Sequence, residues 1–211
     1  MKENIIIGTK DIALEGILSL PEGALGLVIF AHGSGSSRFS PRNTYVAGVL
    51  QQAGLATLLV DLMTEEEDAD YQRRFDIPFL SKRLQSVIKA MKEHPKTKGL
   101  PLALFGASTG SASALCVAAC MPSDICAVVS RGGRPDMAME KLSLVRCPTL
   151  LLVGALDDVV IELNEKAFSL LTCEKELIII EGASHLFEEK GCLEKVAHHA
   201  ALWFTRHLTL P

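Results

Sequence analysis

The feature that most constrains the fold is a series of short, continuously apolar segments separated by helical patterns. These segments are rich in Leu, Ile, Val and Ala, and they cover residues 27–31, 56–60, 102–105, 125–130, 149–153 and 177–180. Strands that are covered on both faces of a parallel sheet have this pattern. Two weaker segments before them, residues 4–8 and 11–19, predict an N-terminal hairpin. The alternation of strands and helices predicts a doubly wound α/β sheet in one domain over residues 1–211.

Capping residues mark where several of the intervening helices begin. Ser40 stands directly before a proline, and Asp76 precedes a stretch with apolar residues at helical spacing. Both side chains can accept a hydrogen bond from the first turn of a helix. Thr64 and Glu67 have the spacing of a capping box. The acidic run at 65–68 is therefore predicted to be a helix start rather than a metal site.

Composition excludes several classes of partner. The net charge is −4 and the pI is about 5.9, which gives no general attraction to nucleic acid or to an anionic membrane. Glycine or a charged residue interrupts every apolar run, and the N-terminus has no apolar leader pattern, so we expect a soluble, cytoplasmic protein. The six cysteines form no C-x-x-C pair, which favours reduced, buried thiols over a metal site.

The candidate nucleophile is Ser108, in the sequence G-A-S-T-G at residues 106–110. This G-x-S-x-G pattern follows a predicted strand and precedes a helix of small residues, which is the context of a nucleophile elbow. The alternative is a tight turn or a phosphate-binding loop. A P-loop is disfavoured because no lysine follows the second glycine.

A serine hydroxyl needs a base, and His185 is the histidine that follows the last predicted strand. Its alternative role is that of a loop histidine bonded to backbone. The acid is expected between serine and histidine along the chain, and Asp157 follows the strand at 149–153. Asp158 is the second choice for the acid, and otherwise a solvated or helix-capping residue. An acid at this position would orient the imidazole and stabilise its protonated form.

The strand at 27–31 leads into a Gly/Ser-rich loop, residues 32–37. Glycines let the backbone turn its N–H groups toward a developing negative charge, and we expect the amides of Ser34 and Thr109 to form the oxyanion hole. The alternative is a flexible loop without this role. His32 is expected to hold the loop in place rather than to act as the base.

Taken together, the segments HGSGSS, GASTG, GALDDVV and GASHLF resemble the α/β-hydrolase superfamily, specifically its dienelactone-hydrolase-like branch. The resemblance spans essentially the whole sequence. It implies a three-layer fold with a mostly parallel eight-stranded sheet, helices on both faces and a Ser108–Asp157–His185 triad. Dienelactone hydrolases proper use a cysteine nucleophile, so serine at position 108 favours a serine esterase instead.

Two segments, HGSGSSRFSPRN and SRGGRPD, also resemble small hydrolases that are fused to phosphoribosyltransferases. No phosphoribosyltransferase-like segment accompanies them in these 211 residues, so that activity is not expected here.

Arginines cluster near the predicted strand ends: Arg131 and Arg134 follow the strand at 125–130, and Arg38 and Arg42 follow the oxyanion loop. Guanidinium groups bind carboxylate or phosphate bidentately, so these residues are candidates for binding an anionic substrate, Arg131 above all. The alternative is that they pair with Asp136, Asp61 or the acidic run, or face water.

The expected function is hydrolysis of a small, soluble carboxylic ester through an acyl-enzyme on Ser108, with no cofactor and no metal. Thioesterase or lactonase activity would use the same triad, and a non-catalytic, hydrolase-like binding domain is the alternative from another class. Residues 131–146 are too few for a large cap, which predicts an open site. No motif indicates the oligomeric state.

Overall fold

The computed structural model of the chain describes residues 1–8 and 12–208, and the beginning of the second predicted hairpin strand at Asp11 lies outside them. The described residues form an eight-stranded sheet in the order β1-β2-β4-β3-β5-β6-β7-β8. Strand β2 runs antiparallel to both of its neighbours, and all the other pairs are parallel. The strands are β1 (Lys2–Gly8), β2 (Ala13–Ser19), β3 (Leu27–Ala31), β4 (Ala56–Val60), β5 (Leu102–Ala107), β6 (Ile125–Arg131), β7 (Thr149–Gly154) and β8 (Lys175–Ile180).

Helices cover both faces of this sheet, which confirms the predicted three-layer α/β-hydrolase architecture. The helices are α1 (Pro41–Gln52), α2 (Glu65–Asp68), α3 (Ile77–Glu93), α4 (Thr109–Cys120), α5 (Met139–Leu142), α6 (Asp158–Leu170) and α7 (Cys192–Leu208). Apolar residues of α1 and α7 pack in one buried cluster with one side of the central strands. Helices α3 to α6 contribute to a second cluster on the opposite side.

The predicted helix starts are confirmed. Ser40 Oγ accepts a hydrogen bond from the amide of Asn43 at 3.4 Å, and Asp76 Oδ1 accepts one from Phe79 at 2.9 Å. Thr64 and the glutamate of α2 form both hydrogen bonds of a capping box. The acidic run therefore begins a helix, as its spacing predicts.

The cysteines are free thiols, as expected, but their burial is less uniform than the sequence predicts. Cys147 and Cys192 are buried, and burial raises the pKa of Cys147 to about 12. Cys120 is exposed at the end of α4, so the expectation of a buried thiol is wrong there. Within residues 1–8 and 12–208, no group of three or more His, Cys, Asp or Glu side chains could hold a metal ion.

The carboxyl ends of the parallel strands meet along one edge of the sheet, where loops lead into the next helices. The connection between β6 and β7 contains only a short 3₁₀ turn, Pro135–Ala138, and the single-turn helix α5. This short connection leaves the edge above β5 and β6 without a large cap, as predicted. No helix in the described part of the chain has the length and apolar character needed to cross a membrane.

Candidate active site

Ser108 occupies a sharp turn between β5 and α4, with backbone angles φ 50° and ψ −121°. A positive φ is costly for a residue with a Cβ atom, so the surrounding structure must hold this turn in place. The flanking glycines explain how it does so. A Cβ on Gly106 would lie 2.4 Å from the Cα of Ser111, and one on Gly110 would lie 2.1 Å from the carbonyl oxygen of Ala31. Only glycine permits this close packing of strand and helix around a nucleophile elbow.

The predicted base and acid are in direct contact: Nδ1 of His185 lies 2.6 Å from Oδ2 of Asp157. An ionised carboxylate can only accept a hydrogen bond, so Nδ1 carries the proton and Nε2 is left as the basic nitrogen. Asp157 directly precedes α6, whereas Asp158 is the first residue of that helix and is exposed. The geometry therefore selects Asp157 over Asp158 as the partner of His185.

The end of β6 links the serine turn to the histidine loop. The amide of Ser108 donates to the carbonyl oxygen of Arg131 at 3.2 Å, and a Cβ built on Gly132 would lie 3.5 Å from Cε1 of His185. In the described residues no hydrogen bond joins the Ser108 hydroxyl to His185. Such contacts are often long in unliganded enzymes and tighten when substrate binds.

The loop that holds His185 is fixed by residues that the sequence analysis did not single out. Glu189 Oε2 accepts a hydrogen bond from the amide of Ser184 at 3.1 Å. Hydrogen bonding by the Ser184 side chain, and then by backbone amides, lowers the pKa of Glu189. Phe187 is buried, with its ring against Gly132. In the sequence, the only signals for these two contacts are an aromatic residue and a glutamate shortly after the histidine. Neither residue type is specific to a loop that holds a catalytic histidine.

The predicted oxyanion residues lie together. The amide of Ser34 donates to Oγ1 of Thr109 at 2.9 Å, and Thr109 is the first residue of α4, so its own amide has no acceptor within the helix. A Cβ on Gly33 would lie 3.1 Å from the Cβ of Ser108, which shows how closely the loop approaches the serine. The contact between the Ser34 amide and the Thr109 hydroxyl is not predictable from the sequence.

His32 holds the start of the oxyanion loop, the role expected from the sequence. Its Nε2 accepts a hydrogen bond from the amide of Leu62 at 3.1 Å, and its Nδ1 lies 3.0 Å from the carbonyl oxygen of Gly33. Because both ring nitrogens are engaged with backbone, His32 is not placed to act as a base.

Comparison with a solved structure establishes the family. A dienelactone hydrolase from Anabaena variabilis is 50% identical to this chain, covers 98% of both chains and has a TM-score of 0.95. This chain belongs to the dienelactone hydrolase family of α/β-hydrolases. Est1E from Butyrivibrio proteoclasticus shares the fold, with a TM-score of 0.84 over 98% of this chain and 99% of its own at 16% identity.

Two curated proteins from two strains of Mycobacterium tuberculosis are also similar to this chain. Each is 48% identical over 209 residues, which is 99% of this chain but 47% of the relative. Both are provisionally named phosphoribosyl transferases. The chain thus spans about half the length of the curated relatives it matches. No family model matches the sequence.

In this dienelactone hydrolase family member, two of the predicted arginines are neutralised by carboxylates. Arg38 pairs with Asp61 and Glu15 and lines a cavity of about 350 Å³ whose lining includes neither Ser108 nor His185. The structure therefore does not bring Arg38 to the triad; pairing with Asp61 was the alternative left open by the sequence.

Arg134 binds Asp136 with two hydrogen bonds of 2.8 and 2.7 Å, which raise the pKa of the guanidinium. Pairing of Arg134 with Asp136 was likewise one of the alternatives that the sequence left open. A substrate anion would have to compete with a bidentate carboxylate, so Arg134 is poorly placed to bind one.

Arg42 and Arg131 differ from these two. Arg42 Nη1 lies 2.7 Å from Oε1 of Glu188, a carboxylate that is largely exposed. Arg131 is buried, with 8% of its surface exposed, and its Nε and Nη1 atoms have no hydrogen-bond partner. Nε of Arg42 also has no hydrogen-bond partner, so both arginines keep open hydrogen-bonding capacity, and Arg131 is the more deeply buried of the two.

A buried asparagine secures the loop after β6. Asn164 of α6 donates through Nδ2 to the carbonyl oxygens of Gly133 at 3.0 Å and Val160 at 2.8 Å. A polar residue at helical spacing between Val160 and Ala167, both buried, was the signal for it in the sequence. Asn164 therefore ties α6 to the segment next to Ser108.

Proposed function

We propose that this chain is a serine hydrolase that cleaves small carboxylic esters by acyl transfer through Ser108. The observation that supports this most directly is the 2.6 Å contact between His185 and Asp157, at the same sheet edge as a serine in an elbow turn. A hydrogen-bonded base beside a serine at a helix N-terminus is the arrangement that nucleophilic catalysis requires.

In the first half of the reaction, Ser108 Oγ attacks the carbonyl carbon of the ester and its proton passes to Nε2 of His185. The carbonyl oxygen becomes an oxyanion that accepts a hydrogen bond from the amide of Thr109, and a second from the amide of Ser34 as that N–H turns away from Oγ1 of Thr109. Collapse of this intermediate breaks the bond to the alkoxy oxygen. The alcohol leaves with the proton from His185, and the acyl group remains on Ser108.

In the second half, His185 removes a proton from water, and the hydroxide attacks the acyl carbon. The carboxylic acid is released and Ser108 recovers its proton. Asp157 keeps Nδ1 protonated throughout and stabilises the imidazolium in both halves. The steps need no group other than these side chains, the two amides and water.

The substrates proposed are short, soluble esters, because the short connection between β6 and β7 leaves no large apolar cap for a long acyl chain. Thioesters and lactones present the same carbonyl chemistry to the triad. Their hydrolysis rates should therefore be measured beside those of the esters. The phosphoribosyl transferase name belongs to relatives about twice as long, and the Ser108, His185 and Asp157 arrangement gives no reason to extend it to this chain.

A fluorophosphonate probe tests the proposal because it reacts with activated serines. The folded wild type should be labelled on Ser108 and should hydrolyse p-nitrophenyl acetate and butyrate. Ser108→Ala should lose both labelling and turnover, while the control Ser169→Ala, on the exposed side of α6, should keep them. A folded wild type that is neither labelled nor active would instead indicate a non-catalytic binding domain.

A further inference from the structure

A cavity of about 350 Å³ lies beside the oxyanion loop, on the side away from His185. The second half of that loop lines it, together with Asp61 after β4 and Glu15 of β2. His185 follows β8, and β2 and β4 lie on the other side of β3 in the sheet. The cavity is therefore separate from the triad, and its volume falls in the range of sites for small molecules.

The oxyanion loop connects this cavity to the reacting serine. A Cβ on Gly33 would lie 3.1 Å from the Cβ of Ser108, whereas Ser36 and Ser37 line the cavity. Ser34, the expected oxyanion donor, stands two residues before Ser36, so their Cα atoms are at most about 7 Å apart. An ester whose carbonyl group lies at Ser108 can therefore extend one of its substituents into the cavity.

Most of the charge in the cavity wall is already paired. Arg38 forms ion pairs with Asp61 and Glu15, and Asp68 is bound by Arg74 at 2.9 Å. A cation in the cavity would meet the Arg38 guanidinium, and the carboxylates around it are engaged. An anion would be repelled, since four carboxylates line the cavity against these two arginines. The charges therefore favour a neutral ligand.

The groups that stay open in the wall suit a polyhydroxylated ring. Glu65, the fourth carboxylate, is exposed and forms no ion pair among the described residues. Ser37 and Thr64 each accept a backbone hydrogen bond of 3.2 Å and keep their own O–H to donate. Phe39 is 62% exposed, with the Arg38 guanidinium 4.2 Å from its ring centroid. A sugar ring offers hydroxyls to such donors and acceptors, and C–H bonds to the negative face of an aromatic ring.

We propose that this cavity binds a sugar-like, polyhydroxylated substituent of the ester whose carbonyl group reacts at Ser108. This inference rests on the proposed esterase function. The sugar ring stacks on Phe39, and its hydroxyls form hydrogen bonds with Ser37, Thr64 and Glu65. Either the alcohol or the acid of the ester can carry the sugar, and the test covers both.

The kinetic test uses two pairs of esters with matched shapes, followed by pH-stat and corrected for their rates of alkaline hydrolysis. Methyl 6-O-acetylglucopyranoside is paired with cyclohexylmethyl acetate, and the methyl ester of methyl glucopyranosiduronate with methyl cyclohexanecarboxylate. In at least one pair, the wild type should prefer the sugar ester by about tenfold or more in kcat/KM, because the apolar analogue leaves polar groups of the wall without partners.

Replacement of the aromatic ring tests the contact that the proposal assigns to it. Phe39→Ala should reduce the preference for the sugar ester roughly fivefold or more. Tyr71→Ala is the matched control, because Tyr71 is a similarly exposed aromatic residue, at 68%, and does not line the cavity. This control should leave the preference unchanged. Equal preferences in wild type and Phe39→Ala would contradict the stacking.

A third pair of esters tests whether the cavity selects charge instead. Acetylcholine and 3,3-dimethylbutyl acetate have the same shape and differ by one positive charge. The wild type should distinguish them by less than about threefold, since the carboxylates of the wall are paired or exposed to solvent. A strong preference for acetylcholine that Glu65→Gln abolishes would overturn the sugar site in favour of a cation site.

A binding measurement separates this proposal from the proposed function. Ser108→Ala should bind at least one of the two sugar esters by calorimetry, and Ser108→Ala combined with Phe39→Ala should bind it roughly fivefold more weakly. Binding without turnover in the wild type would refute the esterase function but keep the sugar site. Hydrolysis of all the esters with no preference, together with equal binding by the two variants, would overturn the sugar site and leave the esterase function standing.

Discussion

Asp157 and His185 lie 28 residues apart along the chain, yet Oδ2 of one is 2.6 Å from Nδ1 of the other. The two loops that hold them pack tightly. A Cβ on Gly154 would lie 2.4 Å from the carbonyl oxygen of Ala183, so the glycine at the end of β7 allows the acid loop to reach the histidine loop. The neighbouring Asp158 is exposed on α6. One carboxylate of the adjacent pair is thus directed to the base and the other to water.

Replacing these two carboxylates tests their different roles. Asp157→Asn should lower kcat by about 10³- to 10⁴-fold, because the amide no longer fixes the tautomer of His185 or stabilises the imidazolium. Asp158→Asn changes the same group in the next residue and should alter kcat by less than about twofold. Steady-state kinetics on a short p-nitrophenyl ester measures both. Equal losses in the two variants would contradict the assignment of Asp157.

The close packing of the glycines in the serine turn leads to a second prediction, which concerns stability. Gly110→Ala would place a methyl group 2.1 Å from the carbonyl oxygen of Ala31. Backbone cannot move aside cheaply, so we expect a loss of about 3 kcal/mol or more in the free energy of unfolding. Gly48→Ala is the matched control, because that glycine lies within α1 and its Cβ would meet nothing within 4 Å.

The control should gain about 0.5 to 1 kcal/mol, since alanine has the higher helix propensity. Urea denaturation of both variants gives the comparison. A Gly110→Ala protein as stable as wild type would show that strand and helix do not pack as closely as the turn requires.

The sequence predicts those parts of the fold that local pattern determines. The continuous apolar segments locate the parallel strands, and the bounds of β3 and β4 are those expected from residues 27–31 and 56–60. The serine turn is equally local, because glycine, serine and glycine at fixed spacing between strand and helix specify one backbone geometry. Strand-end position then ranks His185 and Asp157 above the other histidines and acids.

Contacts between distant side chains are what the sequence leaves undetermined. Nothing local distinguishes Arg38, which is paired with Asp61, from Arg131, which is unpaired. Arg131 is the last residue of β6 and Arg38 follows the loop after β3, and the partners of both depend on how the loops are placed in three dimensions. The same holds for the hydrogen bond between Asn164 and Gly133, which spans 31 residues.

The hydroxyl of Thr109 gives a third prediction. It accepts the hydrogen bond from the Ser34 amide and so holds that amide near the elbow until, in the proposed reaction, the N–H turns from the hydroxyl to the oxyanion. Thr109→Val keeps the shape but removes the acceptor, and we expect kcat to fall roughly tenfold, less than for complete loss of an oxyanion donor. Thr109→Ser restores the hydroxyl and should recover most of the rate. If valine and serine gave equal rates, the hydroxyl would have no part in positioning the Ser34 amide.

The unpaired guanidinium of Arg131 makes a prediction about stability that does not depend on catalysis. Its pKa is lowered to about 10, well below the ordinary value of an arginine, by burial and by Arg42, so the folded state disfavours the charged form. The cost is fully present below pH 10 and disappears only as the pH rises from there toward the pKa of an arginine in the unfolded chain. At neutral pH it is on the order of 3 kcal/mol.

Arg131→Met removes the charge and nearly fills its volume, so the variant should be more stable than wild type, by up to that amount, between about pH 6 and 9. Arg146→Met should change stability by less than about 0.5 kcal/mol, because its guanidinium is already in water. Denaturant titrations of the three proteins measure the difference. A less stable Arg131→Met would mean that the guanidinium contributes to the stability of the fold, contrary to the cost expected of a buried charge without a partner.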